Sequence, residues 1–197
     1  MKKIAVIVLS LIVITFNGSF VPVNKIVPNA NEADIVIYGA TSAGVIAAYT
    51  AKKMGKSVLL IEPGSHLGGM TTGGLGYTDI GNKFAITGLS LDFYRKIGRH
   101  YGRFEQWTFE PSVAKKYLQD YLDEVGVKVI YQQRIVSARK VGATIQSITV
   151  ENSTKPSSST NRVIKGKMFM DCTYEGDLMA RAGVSYTVGR EDNKLYN

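Results

Sequence analysis

The feature that most constrains this chain is a glycine-bearing turn set between an apolar run and an alanine-rich one. Asp34-Ile35-Val36-Ile37-Tyr38 leads into Gly39-Ala40-Thr41-Ser42-Ala43-Gly44, and the stretch from Val45 to Met54 follows, closed by Gly55. An unbroken apolar run reads as a strand buried on both faces, as in a parallel sheet. The alanine-rich stretch reads as a helix with a glycine past its end. Ser57 to Ile61 reads as a second strand and stops at Glu62. Strand, turn, helix and strand in that order predict an α/β fold of Rossmann type built on a parallel sheet.

Each residue type in this unit has a physical task. Gly39 permits the tight turn out of the strand. Gly44 lets the helix pack closely while free N–H groups at its start meet a pyrophosphate. Glu62 lies 23 positions after Gly39, near the ~20 expected for a carboxylate whose oxygens accept the adenosine ribose hydroxyls. The middle glycine of Gly-x-Gly-x-x-Gly is replaced by Thr41. A side chain there restricts backbone approach to the phosphates, and its hydroxyl is expected to donate to a phosphate oxygen instead. An acid at position 62 argues against the 2′-phosphate of NADP and leaves NAD and FAD. From Pro63 to Asp79 the chain is glycine-rich where an NAD domain would start its next helix. Such a run suits backbone wrapped around a long ligand.

In three separated places the chain resembles the FAD-dependent oxidoreductase family of secreted bacterial proteins, within the glutathione reductase and succinate dehydrogenase class of flavoproteins. The matching segments are Tyr38 to Ala48, Leu67-Gly68-Gly69-Met70-Thr71-Thr72-Gly73-Gly74-Leu75-Gly76, and Asp171-Cys172-Thr173-Tyr174-Glu175-Gly176-Asp177-Leu178-Met179-Ala180. Members are sometimes labelled xanthan lyases, a label that no residue here supports. The resemblance implies an FAD/NAD(P)-binding domain with FAD as cofactor and a strand-pair insertion. Gly39, Thr41, Ser42, Ala43 and Gly44 would surround the pyrophosphate and Glu62 would hold the ribose. Gly69, Met70 and Thr71 would approach the pyrophosphate and ribityl chain. A helix from Pro111 to Val125, with proline in its first turn and Gly126 after its end, leads to a third parallel strand over Val127 to Tyr131. Backbone groups near Ile135 would then contact adenine, Arg134 to Val150 would form the strand pair, and Lys165 to Thr173 would return to the sheet with Thr173 facing the dinucleotide. Asp177 reads as the start of the next helix.

The same resemblance expects a later segment that holds the flavin ring, and a substrate domain. Neither is legible in these residues, so the chain reads as the incomplete amino-terminal part of such a domain, inactive alone. No catalytic residue is nominated. His66 and His100 sit at no ligand spacing with each other or with Cys172, which excludes a metal site. The lone cysteine excludes an intrachain disulfide, and its apolar surroundings predict an inert thiol. The formal charge of +8 is spread along the chain rather than gathered in a patch, which argues against nucleic acid as a partner. Arg95, Arg99 and Arg103 recur every four residues and would share one helical face, either solvated, covered by other sequence or facing an acidic substrate.

Ahead of the fold, Met1-Lys2-Lys3 and the apolar stretch from Ile4 to Phe16 have the form of a secretory signal over residues 1–19, followed by a tether over 20–32. The apolar stretch is too short for a stable membrane anchor, which predicts export to the periplasm or outside. The substrate expected is a sugar or another small organic molecule, and the oligomeric state is not legible. The alternative is a module that holds NAD or ADP-ribose without redox turnover.

Overall fold

A computed structural model describes residues 31–196, so the secretory signal and most of the tether lie outside the described residues. Strand β1 (Glu32–Tyr38) is followed by helix α1 (Ser42–Lys53) and strand β2 (Val58–Ile61). After two short 3-10 turns come α2 (Gly88–His100), α3 (Pro111–Val125) and β3 (Val129–Ile130). The chain then runs through β4 (Gln133–Val141), β5 (Thr144–Asn152), β6 (Arg162–Asp171) and α4 (Asp177–Arg181). One six-stranded sheet results, in the order β3-β2-β1-β6-β5-β4. The pairs β1–β2, β2–β3 and β1–β6 are parallel, while β4–β5 and β5–β6 are antiparallel. This is the α/β arrangement that the residue pattern predicts, with the strand-pair insertion that the resemblance implies.

The helices end where local chemistry says they should. Gly55 follows α1 at φ +77° and Gly126 follows α3 at φ +68°, the left-handed conformation in which glycine is at no steric disadvantage. Pro111 opens α3, where its missing N–H is no loss. Asp177 opens α4. Two expectations change. The third parallel strand keeps only Val129 and Ile130 in register with β2, and α2 stops at His100, so Arg103 lies outside it. Gly102, at φ +68°, turns the chain away. The Arg95 guanidinium lies 4.9 Å from the centre of the Phe104 ring, and Lys96 stands 4.0 Å from that of Tyr121. The three arginines therefore do not form one helical face.

Each face of the parallel strands has its own core. On one, Ile37 and Leu60 pack against Val45 and Ala48 of α1 and Ala114, Leu118 and Tyr121 of α3. Tyr49 and Tyr121 meet edge to face there, with ring centres 5.0 Å apart. On the other, Val36, Tyr38, Leu59 and Ile61 pack against Ile135, Ile148, Val150, Ile164 and Leu178. Full burial of each large side chain contributes ~1.5–3 kcal/mol, so both layers are needed to hold the sheet.

The second layer requires the sheet to curl. β4 is three strands from β1, ~14 Å at ~4.8 Å per strand if the sheet were flat. Yet the Ile135 N–H donates to the Tyr38 hydroxyl at 2.9 Å, and Gln133 N–H donates to the Glu62 carbonyl at 3.1 Å. The strand pair thus folds back beneath the parallel strands and takes the place of a helix layer. A register shift between Ile135 and Ser137 marks the bend. Burial pushes the Tyr38 hydroxyl up to about 12, so it stays protonated at any ordinary pH. Tyr38→Phe keeps the packing but leaves the Ile135 N–H without its acceptor. The expected cost is ~1–3 kcal/mol, a fall in melting temperature of roughly 2–10 °C by thermal denaturation, and an unchanged melting curve would refute the tie.

Candidate functional site

The site is built from the carboxyl ends of β1, β2 and β6. β1 stops at Tyr38 and Gly39 turns the chain at φ +100°. A β-carbon on Gly39 would lie 2.8 Å from both the Cys172 carbonyl carbon and the Thr173 nitrogen, so the glycine is required by the close approach of β6. Gly44 is required in turn, because a β-carbon there would lie 1.9 Å from the Gly39 carbonyl oxygen. The helix start is thereby pressed onto the turn.

Thr41 is the N-cap of α1. Its hydroxyl accepts from the Gly44 N–H at 3.3 Å and donates to the Cys172 carbonyl at 2.8 Å. The residue is buried at 7% exposure. This corrects the expectation that Thr41 donates to a phosphate: its single proton is already committed to β6. The Val45 N–H donates to the Thr41 carbonyl, and the helix start carries the partial positive charge that favours an anion. No acidic residue stands in the first turn of α1 to repel one.

Glu62 does more than its spacing indicates. One carboxylate oxygen accepts from the Ala40 N–H at 2.7 Å and the other from the Gly64 N–H at 2.8 Å. The side chain ties the glycine turn to the loop after β2. Each oxygen retains a further lone pair, so the carboxylate can also accept from hydroxyls of a ligand. The second glycine motif docks on the first: Gly68 N–H donates to the Ala40 carbonyl at 2.8 Å, and Gly68 pairs with Thr41 in a parallel bridge.

Two cavities flank this junction. One, of about 420 Å³, is lined by Gly39, Thr41, Glu62, Gly69, Met70 and Thr173, together with Pro63, His66, Gly73, Leu75, Tyr174 and Glu175. The other, of about 410 Å³, is lined by Ser42, Ala43 and Thr71 and by apolar side chains including Ile46, Leu89, Phe93 and Leu118. The Thr71 hydroxyl donates to the Ser42 hydroxyl at 3.2 Å, which joins α1 to the 3-10 turn Gly69–Thr72 between the two cavities. Gly44 stands behind both.

Ile135 is brought to neither cavity, which corrects its expected contact with adenine. It is buried at 5% exposure and its N–H is taken by Tyr38. Thr173 does line the first cavity, but its hydroxyl donates to Asp171 at 2.7 Å and accepts from Gly176 N–H at 3.0 Å. Tyr174 was not singled out by spacing. Its hydroxyl accepts from the Met70 N–H at 2.9 Å, and a β-carbon on Gly69 would collide with the Tyr174 ring. Cys172 is half-buried and burial pushes its thiol up, consistent with an inert role.

A carboxylate able to accept from hydroxyls at one end and a helix start at the other fit the ADP half of a dinucleotide. Among the described residues no cluster of His, Cys, Asp or Glu could hold a metal ion.

A family described as FAD dependent oxidoreductase matches residues 34–197. No curated protein matches the chain. Among solved structures, a flavoprotein/dehydrogenase from Cytophaga hutchinsonii has a TM-score of 0.58 at 17% identity, over 81% of this chain and 44% of that one. THI4 of Thermovibrio ammonificans has 0.57 at 18%, over 78% and 64%. AlpK has 0.55 at 15%, over 79% and 34%. At these identities the likeness is one of fold, and the chain spans between about a third and two thirds of the length of these structures.

The double backbone tie of Glu62 sets an expectation for the ligand-free protein. In Glu62→Gln an amide N–H₂ must face one of the two backbone N–H groups, which loses one charge-assisted bond and weakens the other. The cost is ~1–3 kcal/mol, or roughly 2–8 °C in melting temperature. Ligand-free melts that superimpose would show that the carboxylate carries no structural load.

Proposed function

Because this chain belongs to the FAD dependent oxidoreductase family, with FAD as its cofactor, we propose that residues 31–196 hold the ADP half of FAD. The observation that supports this is the convergence of Glu62, the Gly39 turn and Thr41, the N-cap of α1, on one cavity, with Ser42 and Ala43 at the edge of the neighbouring one. FAD when bound supplies the redox chemistry of the family. The chain itself binds and orients. Ser42 and Ala43 N–H groups receive the diphosphate, Glu62 accepts from the ribose hydroxyls, and the Gly69-Met70 backbone borders the path toward the flavin. The apolar second cavity excludes water beside that path.

The finer reading is an exported oxidoreductase acting on a sugar or another small organic molecule, without nucleic acid as partner and without a stable membrane anchor. Among the described residues no helix is long and apolar enough to cross a membrane.

Titration of the apo-protein with FAD, ADP-ribose and FMN tests the assignment. FAD and ADP-ribose should bind with affinities within roughly tenfold of each other, and FMN, which lacks the adenosine, should not bind. Glu62→Gln should weaken both binders at least roughly tenfold, from the loss of a charge-assisted bond. FMN binding as tightly as FAD would overturn the assignment. Export is tested by amino-terminal sequencing: the mature chain should begin between about residues 18 and 31, and an intact Met1 on exported protein would refute it.

A further inference from the structure

The cavity assigned to the ADP half has an electrostatic problem. Its charged lining groups are Glu62 and Glu175, and no lysine or arginine lines it. A diphosphate received at the start of α1 borders this cavity, which the N-cap Thr41 lines, and it stands on the side of two carboxylates, opposed by the partial positive charge of the helix start, equivalent to about half a unit charge. Among the lining residues one side chain can carry a full positive charge near neutral pH, and that is His66.

His66 is also held for such a role. Its Nε2 lies 2.8 Å from the Thr72 hydroxyl, and that hydroxyl makes a short bond to the Leu67 carbonyl. A carbonyl can only accept, so the single hydroxyl proton goes to Leu67 and Nε2 must be the donor to Thr72. Thr72 cannot drift: it is 4% exposed, and a β-carbon on Gly68 would lie 2.5 Å from its methyl group. The tautomer is therefore fixed and Nδ1 is the edge left for a ligand. Neutral imidazole presents a lone pair at Nδ1, which repels phosphate oxygens. Protonated imidazole presents an N–H there, which binds them with charge assistance.

We propose that His66 in its protonated form is the counter-charge to the cofactor diphosphate and makes cofactor affinity fall as pH rises. This rests on the assignment of the ADP half to the cavity. The titratable groups that line the cavity with His66 are Glu62 from the end of β2 and Tyr174 and Glu175 from the loop after β6; the 3-10 turn Gly69–Thr72 supplies none. The sign follows from linkage. If the protonated form binds tighter, bound ligand raises the titration midpoint of His66, and affinity is greatest below the ligand-free midpoint and lost as pH rises through the bound one.

Two histidines make the test direct. Their ring resonances are followed by NMR against pH in the apo-protein, then with ADP-ribose, whose diphosphate does not titrate near neutrality, and with adenosine as a phosphate-free control. His66→Gln assigns the resonances and keeps an amide donor toward Thr72 without the charge. ADP-ribose is expected to raise the His66 midpoint by about half a unit or more, leaving His100 unmoved, and to bind roughly threefold or more tightly at about pH 5.5 than at about pH 8. Adenosine should do neither, and His66→Gln should flatten the pH dependence. The proposal is overturned if ADP-ribose binds in a Glu62-dependent way while the His66 midpoint stays put, or if His66→Gln keeps the slope. If wild-type protein binds neither ADP-ribose nor FAD at any pH, the cofactor assignment falls and this proposal with it.

Discussion

Two stretches of chain crowd Gly39. The end of β6 passes so close that a β-carbon would meet the Cys172 and Thr173 backbone at 2.8 Å, and the start of α1 rests on the Gly39 carbonyl. That crowding places the Thr41 hydroxyl against the Cys172 carbonyl. It also brings the second glycine motif into bridge contact with the first. A methyl group at position 39 or 44 would push apart elements that are otherwise held by separate cores. Overpacking of this kind costs ~1–3 kcal/mol or more, and it falls where the ligand must be met.

Glu62, proposed to hold the ribose, also has a structural task. Its carboxylate is pinned by two backbone N–H groups from opposite sides, so its oxygens are oriented before any ligand arrives. Preorganisation of this kind reduces the ordering cost of binding. The Tyr174 hydroxyl on the Met70 N–H has a similar character, since it occupies a backbone donor beside the cavity and fixes the 3-10 turn that borders it.

The elements with local signals were legible in the sequence. The apolar run of β1, the glycine at φ +77° closing α1, and the proline and glycine bracketing α3 each act over a few residues. The β4–β5 pair was legible as a pair, but not its curl, which depends on Tyr38 meeting Ile135 across 97 positions. The same distance explains both misplacements within the site. Ile135 was expected at adenine because it follows the third strand, and Thr41 was expected at a phosphate because it replaces a glycine. In each case a partner far along the chain claims the hydrogen-bonding group first. Tyr174 lay within a recognised motif, yet its place over Gly69 needs the loop after β6 to cross the loop after β2.

The parallel pairing of β1 with β6 has a consequence for the order in which the molecule forms. β1 ends at residue 38, but the strand that flanks it on one side runs from Arg162 to Asp171. As the chain leaves the ribosome, β1, α1 and β2 emerge early with one edge of β1 unsatisfied, and Thr41 has no carbonyl to receive its proton. Pairings of such long sequence separation form slowly. A chain cut before Asp171 would keep every residue of the glycine turn and still lack the wall against which that turn is shaped. The glycine turn is thus written early and takes its shape only once β6, more than a hundred positions later, has been made.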